Sequence, residues 1–343
     1  RRISSPFCFG SGYAVFLLRK AIAKPTMPKR SEPTARMLQN PASAAVVGGE
    51  TVPAATVKDG KVHLLCRCID FARRPSSPGN WSVSSFGWAV SGDGFAFTMS
   101  PTPVPEFFPG PESPFTGGFE DPRLVKIGRQ WLLTYTGVYS GPSGRFNTMT
   151  PGLAALSDDL VHWELLGEIL PSRAIAVTPE KINGKYWAYY DNWHLRLAWS
   201  EDLRNWHLVD APVLSPRPGK FDEGLCEAVA APIISDDGVL LLYNGDAGRR
   251  QAETLARAVT PSYLPLHPMM FYSVGWALFD RNDPSRLIAR CDRPVIAPKE
   301  LYEFYGIAPF ACFASGVVEF KGRHIVYYGC ADMRISAAFA ECK

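Results

Sequence analysis

The chain has 343 residues, of which 46% are hydrophobic and 20% charged, the balance of a globular protein rather than of a disordered one. A formal net charge of +3, with no basic run interleaved with aromatics, excludes nucleic acid as the expected partner. Eight cysteines without CxxC spacing argue against a zinc site and fit reduced, buried thiols, which favours a cytoplasmic or other intracellular reducing compartment.

In chain order, residues 13–18 form an apolar run flanked by Arg1, Arg2, Arg19 and Lys20. It is too short to span a bilayer and lacks a signal-peptide cleavage pattern, so no membrane partner is expected. The first residue is not Met, while Met27 and Met37 can each serve as a start. Residues 1–36 are therefore read as a poorly ordered leader or appended segment, and residues 37–343 as one domain.

A short apolar strand then recurs five times, at residues 62–67, 131–135, 186–190, 239–243 and 324–328, each close behind a glycine (Gly60, Gly128, Gly184, Gly238, Gly322). Two copies are followed by Ser157-Asp-Asp159-Leu-Val-His-Trp163 and Ser200-Glu-Asp202-Leu-Arg-Asn-Trp206, with a looser version at Ser91-Gly-Asp93-Gly-Phe-Ala-Phe97. In each, the aspartate is predicted to close a turn on its own backbone and the aromatic to anchor the next strand. With 59 Gly and Pro residues and no long helical periodicity, the pattern predicts an all-β five-bladed propeller, a single large β-sandwich being the alternative. A propeller would let residues far apart in sequence meet at one axial pocket.

Chemistry concentrates in residues 117–125, Gly-Gly-Phe-Glu120-Asp121-Pro122-Arg123-Leu-Val. Pro122 pushes Asp121 toward an extended conformation, which would put Asp121 and Arg123 on one face and turn Glu120 away. An acid beside a guanidinium suits phosphorolysis: the carboxyl protonates a departing oxygen while the cation holds phosphate. The neighbouring cation also lowers the carboxyl pKa, which opposes an acid role unless burial or bound phosphate offsets it. On its own such a tetrapeptide is more often a turn salt bridge.

With its surroundings the segment resembles the β-mannoside phosphorylases, glycoside hydrolase family 130. The likeness continues through Asn40-Pro41, Leu65-Cys66-Arg67, residues 131–136, Thr178-Pro179-Glu180-Lys181, Leu242-Tyr243-Asn244-Gly245, residues 275–284 and 294–306, and Tyr327 to Asp332. The resemblance implies a five-bladed propeller and an inverting phosphorylase or hydrolase of β-mannosides. It implies Asp121 as proton donor, directly or through a sugar hydroxyl, and Arg123 and Lys181 as basic positions facing phosphate or donor. Asn40, Arg67, Asp332, Tyr243 and Asn244 are implied to contact substrate. Inorganic phosphate or mannose 1-phosphate is the implied co-substrate, with GDP-mannose in dual-activity mannosyltransferase relatives, and the acceptor is mannose or a manno-oligosaccharide. No metal or redox cofactor is expected.

Three departures bear on the co-substrate. Asn244 stands where the family has a phosphate-facing histidine, residues 190–196 offer only His194 and Arg196 as basic groups, and residues 221–227 are acidic. Hydrolysis would need a base, for which Glu180, Asp191, Asp222, Glu223 and Glu227 are candidates. A non-catalytic glycan-binding propeller would use Trp193 and Trp276 as platforms and would not need Asp121 beside Arg123.

Overall fold

Each of the five recurring apolar runs is a strand in the computed structural model, which describes residues 48–70, 83–110, 112–139, 150–260 and 270–341. Residues 1–36 and Asn40 lie outside the described residues. The first strand group comprises β1 (Gly48–Lys58), β2 (Lys61–Asp70), β3 (Val83–Ser91) and β4 (Thr98–Pro103). The second holds β5 (Gly118–Ile127), β6 (Gln130–Val138), β7 (Gly152–Ser157) and β8 (Glu164–Leu170). A third, four-stranded sheet is built from β9 (Ala176–Val177), β10 (Tyr186–Tyr190), β11 (Arg196–Ser200) and β12 (His207–Leu208). The fourth contains β13 (Leu225–Ala228), β14 (Ile233–Ser235), β15 (Gly238–Asp246), β16 (Tyr272–Phe279) and β17 (Leu287–Arg290), and the last β18 (Cys312–Phe320), β19 (Arg323–Cys330) and β20 (Arg334–Glu341).

Pairing within the groups is antiparallel. The first two groups merge into one eight-stranded sheet through a single parallel contact, Ser84 opposite Gly118. The described strands thus form four sheets, none closed on itself, which is more than the two of a sandwich. The fold is all-β. β1 also packs against β18 and β19, which brings the first and last sheets together. The cores are intersheet layers, such as Leu65, Phe86, Phe107 and Leu133 between the first two groups.

The three serine–aspartate turns share one geometry. The Oγ of Ser91, Ser157 and Ser200 accepts the backbone N–H three residues on, at 2.8, 2.8 and 2.9 Å. The Oδ1 of Asp93, Asp159 and Asp202 accepts the N–H two residues beyond itself, at 2.8, 2.8 and 2.9 Å. The aromatics that follow do anchor neighbouring layers: Phe97 meets Tyr327 edge-on at 5.7 Å and Trp163 meets Phe107 at 5.5 Å.

Helices among the described residues are α1 (Gly248–Val259) and the single turn α2 (Leu301–Phe304), apart from a 3₁₀ turn at Pro105–Phe107, and none is long and apolar enough to cross a membrane. α1 was not expected from the sequence. Its buried residues Ala252 and Ala256, with Leu255 beside them, pack against a cluster with Phe271, Phe304 and Phe310; the stripe has helical spacing but covers only about two turns, too short to stand out among strand-length runs.

Gly118 is the position on which the merged sheet turns. Its φ is +86°, and a Cβ there would sit 1.9 Å from the Ser84 carbonyl oxygen. Gly118→Ala is expected to cost at least about 2 kcal/mol, since left-handed strain alone costs about 1–3 kcal/mol, and thermal unfolding will show it as a clear fall in Tm.

Candidate active site

A cavity of about 430 Å³ opens where β2, β5, β13, β16 and the turn after β19 converge. Its charged lining is Arg67, Glu120, Asp121, Arg173, Glu227 and Asp332, joined by the amide of Asn192. Apolar and aromatic groups complete the lining, among them Met270, Tyr272 and Phe313. A lining that combines charged and apolar groups suits a sugar, which has polar edges and C–H faces.

Asp121 is at the centre of the charged wall. Its residue is 2% exposed and its φ is +51°. The strand carries a bulge between Glu120 and Arg123, where pairing with β6 shifts register. Pro122 sits inside that bulge, one of the few places a sheet accepts a residue without an N–H. The bulge overturns the expected alternation of faces. Glu120 does not turn away: its carboxylate binds Arg67 and lies 3.7 Å from Arg173. Nor does Arg123 join the Asp121 carboxylate, because its guanidinium is buried against Glu227 at 3.0 Å and the Ala228 carbonyl at 2.8 Å.

The cations that do face Asp121 are Arg67 and Arg173. Arg173 Nη2 donates to Asp121 Oδ2, and Arg67 Nη1 lies 3.9 Å from Oδ1. Burial works against ionisation of Asp121, yet the guanidiniums of Arg173, Arg67 and Arg123 together hold its carboxyl below the usual aspartate range. Burial pushes the Glu227 carboxyl up despite Arg173 and Arg123, and pushes Asp332 up despite Arg67. The wall therefore holds one firmly ionised aspartate together with two carboxyls displaced toward their neutral forms.

Arg173 carried no sequence motif and was missed. It lies in the loop from β8 to β9, pinned by Thr134 Oγ1 donating to the Ile175 carbonyl at 2.6 Å. Asp191 braces it from the next turn: its N–H donates to the Arg173 carbonyl at 2.8 Å, and its Oδ1 accepts from Ser172 Oγ at 2.9 Å. The Nε of Arg173 is buried with no hydrogen-bond partner. The residue lines the cavity, and a buried donor without a protein partner is a group that calls for explanation, a bound acceptor being one.

Of the other expected positions, Arg67 and Asp332 meet in the cavity, although they come from opposite ends of the chain. Lys181 does not line it; the residue is exposed, its ammonium 5.2 Å from the centre of the Tyr186 ring. Asn244 does not either: its Nδ2 donates to the Ala314 carbonyl and its Oδ1 accepts the Ala314 N–H, both at 2.9 Å, so the amide is a strand-to-strand staple. Tyr243 is fully buried, donating to Asp222 Oδ2 at 2.6 Å and accepting from Arg290 Nε at 3.0 Å. These placements follow from the inward register of β15, whose central side chains fill an intersheet core.

Among the candidate bases, Glu227 alone lines the cavity. Glu180 pairs with Arg281 at 2.9 Å on the surface, Asp222 is buried between Arg217 and Arg290, and Glu223 caps the Gly219 N–H at 2.6 Å. His194 is bonded to Ser215 and Arg196 to Asp191, and neither reaches the cavity. Trp276 belongs to the core, whereas Trp193 is 62% exposed beside the lining residue Asn192. The six described cysteines are buried and form no disulfide with one another.

Comparison with known proteins identifies the family. The model of glycoside hydrolase family 130, described as β-1,4-mannooligosaccharide phosphorylase, matches residues 52–343. A 1,2-β-oligomannan phosphorylase from Thermoanaerobacter sp. strain X514 is 32% identical over 296 residues, 84% of this chain and 89% of the relative. A β-1,2-mannobiose phosphorylase from the same organism is 33% identical over 295 residues, with the same coverage. Among solved structures, one from work on family 130 hydrolases that target β-1,2 mannosidic linkages in Candida mannan superposes with a TM-score of 0.75. It is 26% identical, over 94% of this chain and 99% of that one. The β-1,2-mannobiose phosphorylase of Listeria innocua superposes at 0.74 with 23% identity, over 91% and 96% of the two chains, which speaks for the shared fold.

Proposed function

Since the chain belongs to glycoside hydrolase family 130 and is a phosphorylase of β-mannosides, we propose that it carries out the reversible, inverting transfer of mannose between mannose 1-phosphate and a β-1,2-linked manno-oligosaccharide, with Asp121 as proton donor. The observation that carries the reading is Asp121 held between two cavity-facing guanidiniums, one of which has a buried, unpartnered N–H. The β-1,2 linkage rests on the relatives: those at 32% and 33% identity are named for it, while the β-1,4-mannooligosaccharide phosphorylase of Ruminococcus albus is 24% identical. The fold reading goes with this: the five strand groups act as five propeller blades around the cavity, the first two touching through Ser84 and Gly118.

In phosphorolysis, a phosphate oxygen attacks the anomeric carbon from the face opposite the leaving group. The glycosidic C–O bond breaks, its electron pair stays on the leaving oxygen, and that oxygen takes the Asp121 proton, directly or through a sugar hydroxyl. In synthesis the ionised carboxylate removes the acceptor hydroxyl proton as phosphate departs. The ligand-free site has Asp121 ionised, the form synthesis requires. Phosphate itself supplies the other form: a dianion drawing on Arg173 and Arg67 loosens their hold on the carboxylate, and burial then drives its pKa up.

The test is product analysis of purified enzyme given β-1,2-mannobiose with and without phosphate. Mannose 1-phosphate is expected, formed only when phosphate is present. Free mannose without phosphate would establish a hydrolase, with Glu227 as the base, and chain extension from GDP-mannose alone would establish a transferase; either sinks the reading.

A further inference from the structure

We propose that Arg123 is a positioning residue that holds the backbone of Asp121 in its left-handed conformation by tying β5 to β13, and that it takes no part in binding phosphate; the proposal rests on the phosphorylase reading above. The resemblance that pointed to Arg123 as a phosphate ligand assumed a free guanidinium. Here the residue is 3% exposed and does not line the cavity.

Four of its five N–H donors are committed to the protein. Nη1 donates to the Asp121 carbonyl oxygen at 2.9 Å, Nε and Nη2 converge on the Ala228 carbonyl at 3.0 and 2.8 Å, and Nη2 also reaches Glu227 Oε1 at 3.0 Å. Three of these four contacts are to backbone carbonyls, which cannot swing aside for a ligand as a side chain can.

The bond to the Asp121 carbonyl fixes ψ of that residue. A non-glycine residue in the left-handed region persists only where its surroundings over-determine it, and at the bulge between Glu120 and Arg123 the pairing with β6 is interrupted. Arg123 supplies what the interrupted ladder lacks. The far anchor, Ala228 at the end of β13, lies in a different sheet and follows the lining residue Glu227. One side chain thus sets the position of the proton donor relative to Glu227. The fork geometry is specific to arginine, since a lysine ammonium cannot meet three acceptors at those separations in one plane.

The experiment measures phosphorolysis of β-1,2-mannobiose by wild type, Arg123→Lys and Arg123→Met at varied phosphate. Both variants are expected to lose about 100-fold in kcat, the penalty of misplacing a reacting group by about 1 Å, with phosphate KM within about 3-fold of wild type. Retention of the charge in R123K is expected to give no rescue. A rise in phosphate KM with kcat preserved, or recovery of activity by lysine, would overturn the proposal. Should both variants fail to fold, the wild-type crystal structure with phosphate bound decides: an Arg123 guanidinium still on Ala228 and Glu227, with no N–H within about 3.5 Å of the phosphate, supports the proposal, and a direct contact between Arg123 and phosphate refutes it. A wild type that forms no mannose 1-phosphate overturns the phosphorylase reading and this proposal together, whereas an active wild type with a KM-shifted R123K overturns the proposal alone.

Discussion

Asp121→Asn is expected to give a folded protein whose kcat falls about 10²–10⁴-fold in both directions, the range that a positioned acid–base group supplies. Asparagine keeps the shape and one acceptor oxygen for Arg173 but has no proton to give and no charge to accept one. Removing the carboxylate leaves Arg67 and Arg173 less neutralised, so phosphate KM is expected to stay the same or fall while kcat collapses. That split separates loss of chemistry from loss of binding. The stability signature has a definite sign. A carboxyl depressed in the folded state adds stability above its unfolded pKa and loses it as pH falls through the folded value, so the variant should lack that component of acid sensitivity. Glu227 and Asp332, raised in the folded state, act in the opposite direction: they favour folding as pH falls from their folded values toward the ordinary carboxylate range. Activity above a few per cent of wild type in the variant, with the fold intact, would remove Asp121 from the role of proton donor.

Five of the strands were legible because each is a short apolar run close behind a glycine, and a period of that kind survives in the sequence even when the strand groups diverge. The convergence of Arg67, Asp121 and Asp332 was legible as family pattern. What failed was local geometry. Alternation along a strand predicts that Asp121 and Arg123 share a face, but a bulge at Pro122 inserts the extra residue that reverses this, and nothing in a tetrapeptide announces a positive φ at an aspartate. Asn244 and Tyr243 matched a functional motif and proved to be core residues, because β15 is packed between its neighbours and its polar atoms are satisfied within the sheet layers. Arg173 was invisible for the opposite reason. It is an isolated arginine in a loop, and its value depends on Asp191, Ser172 and Thr134, three residues that only the fold brings to it.

Arg173→Gln is expected to have two linked effects that a structural defect alone would not produce together. The first is on the anion. Arg173 brings a guanidinium to the cavity, its side chain 21% exposed, and truncating one partner of a buried charge pair typically costs about 2–5 kcal/mol. That corresponds to about 30-fold or more in kcat/KM for mannose 1-phosphate. The second is on the proton. Burial is the largest influence on Asp121 and opposes its ionisation, while Arg173 is the foremost of the cations that overcome it. Without Arg173 the Asp121 pKa rises. Synthesis uses the ionised carboxylate, so its rate falls as pH drops through that pKa, and the acid limb of kcat/KM must therefore move to higher pH in the variant. Phosphorolysis uses the protonated form, so its limb at high pH moves upward as well, and part of the loss in that direction should be recovered near neutral pH. The measurement is a pair of pH profiles, one for each direction, on wild type and variant at fixed ionic strength. An unmoved acid limb in synthesis, together with an unchanged KM for phosphate, would show that neither the anion nor the proton of Asp121 depends on Arg173.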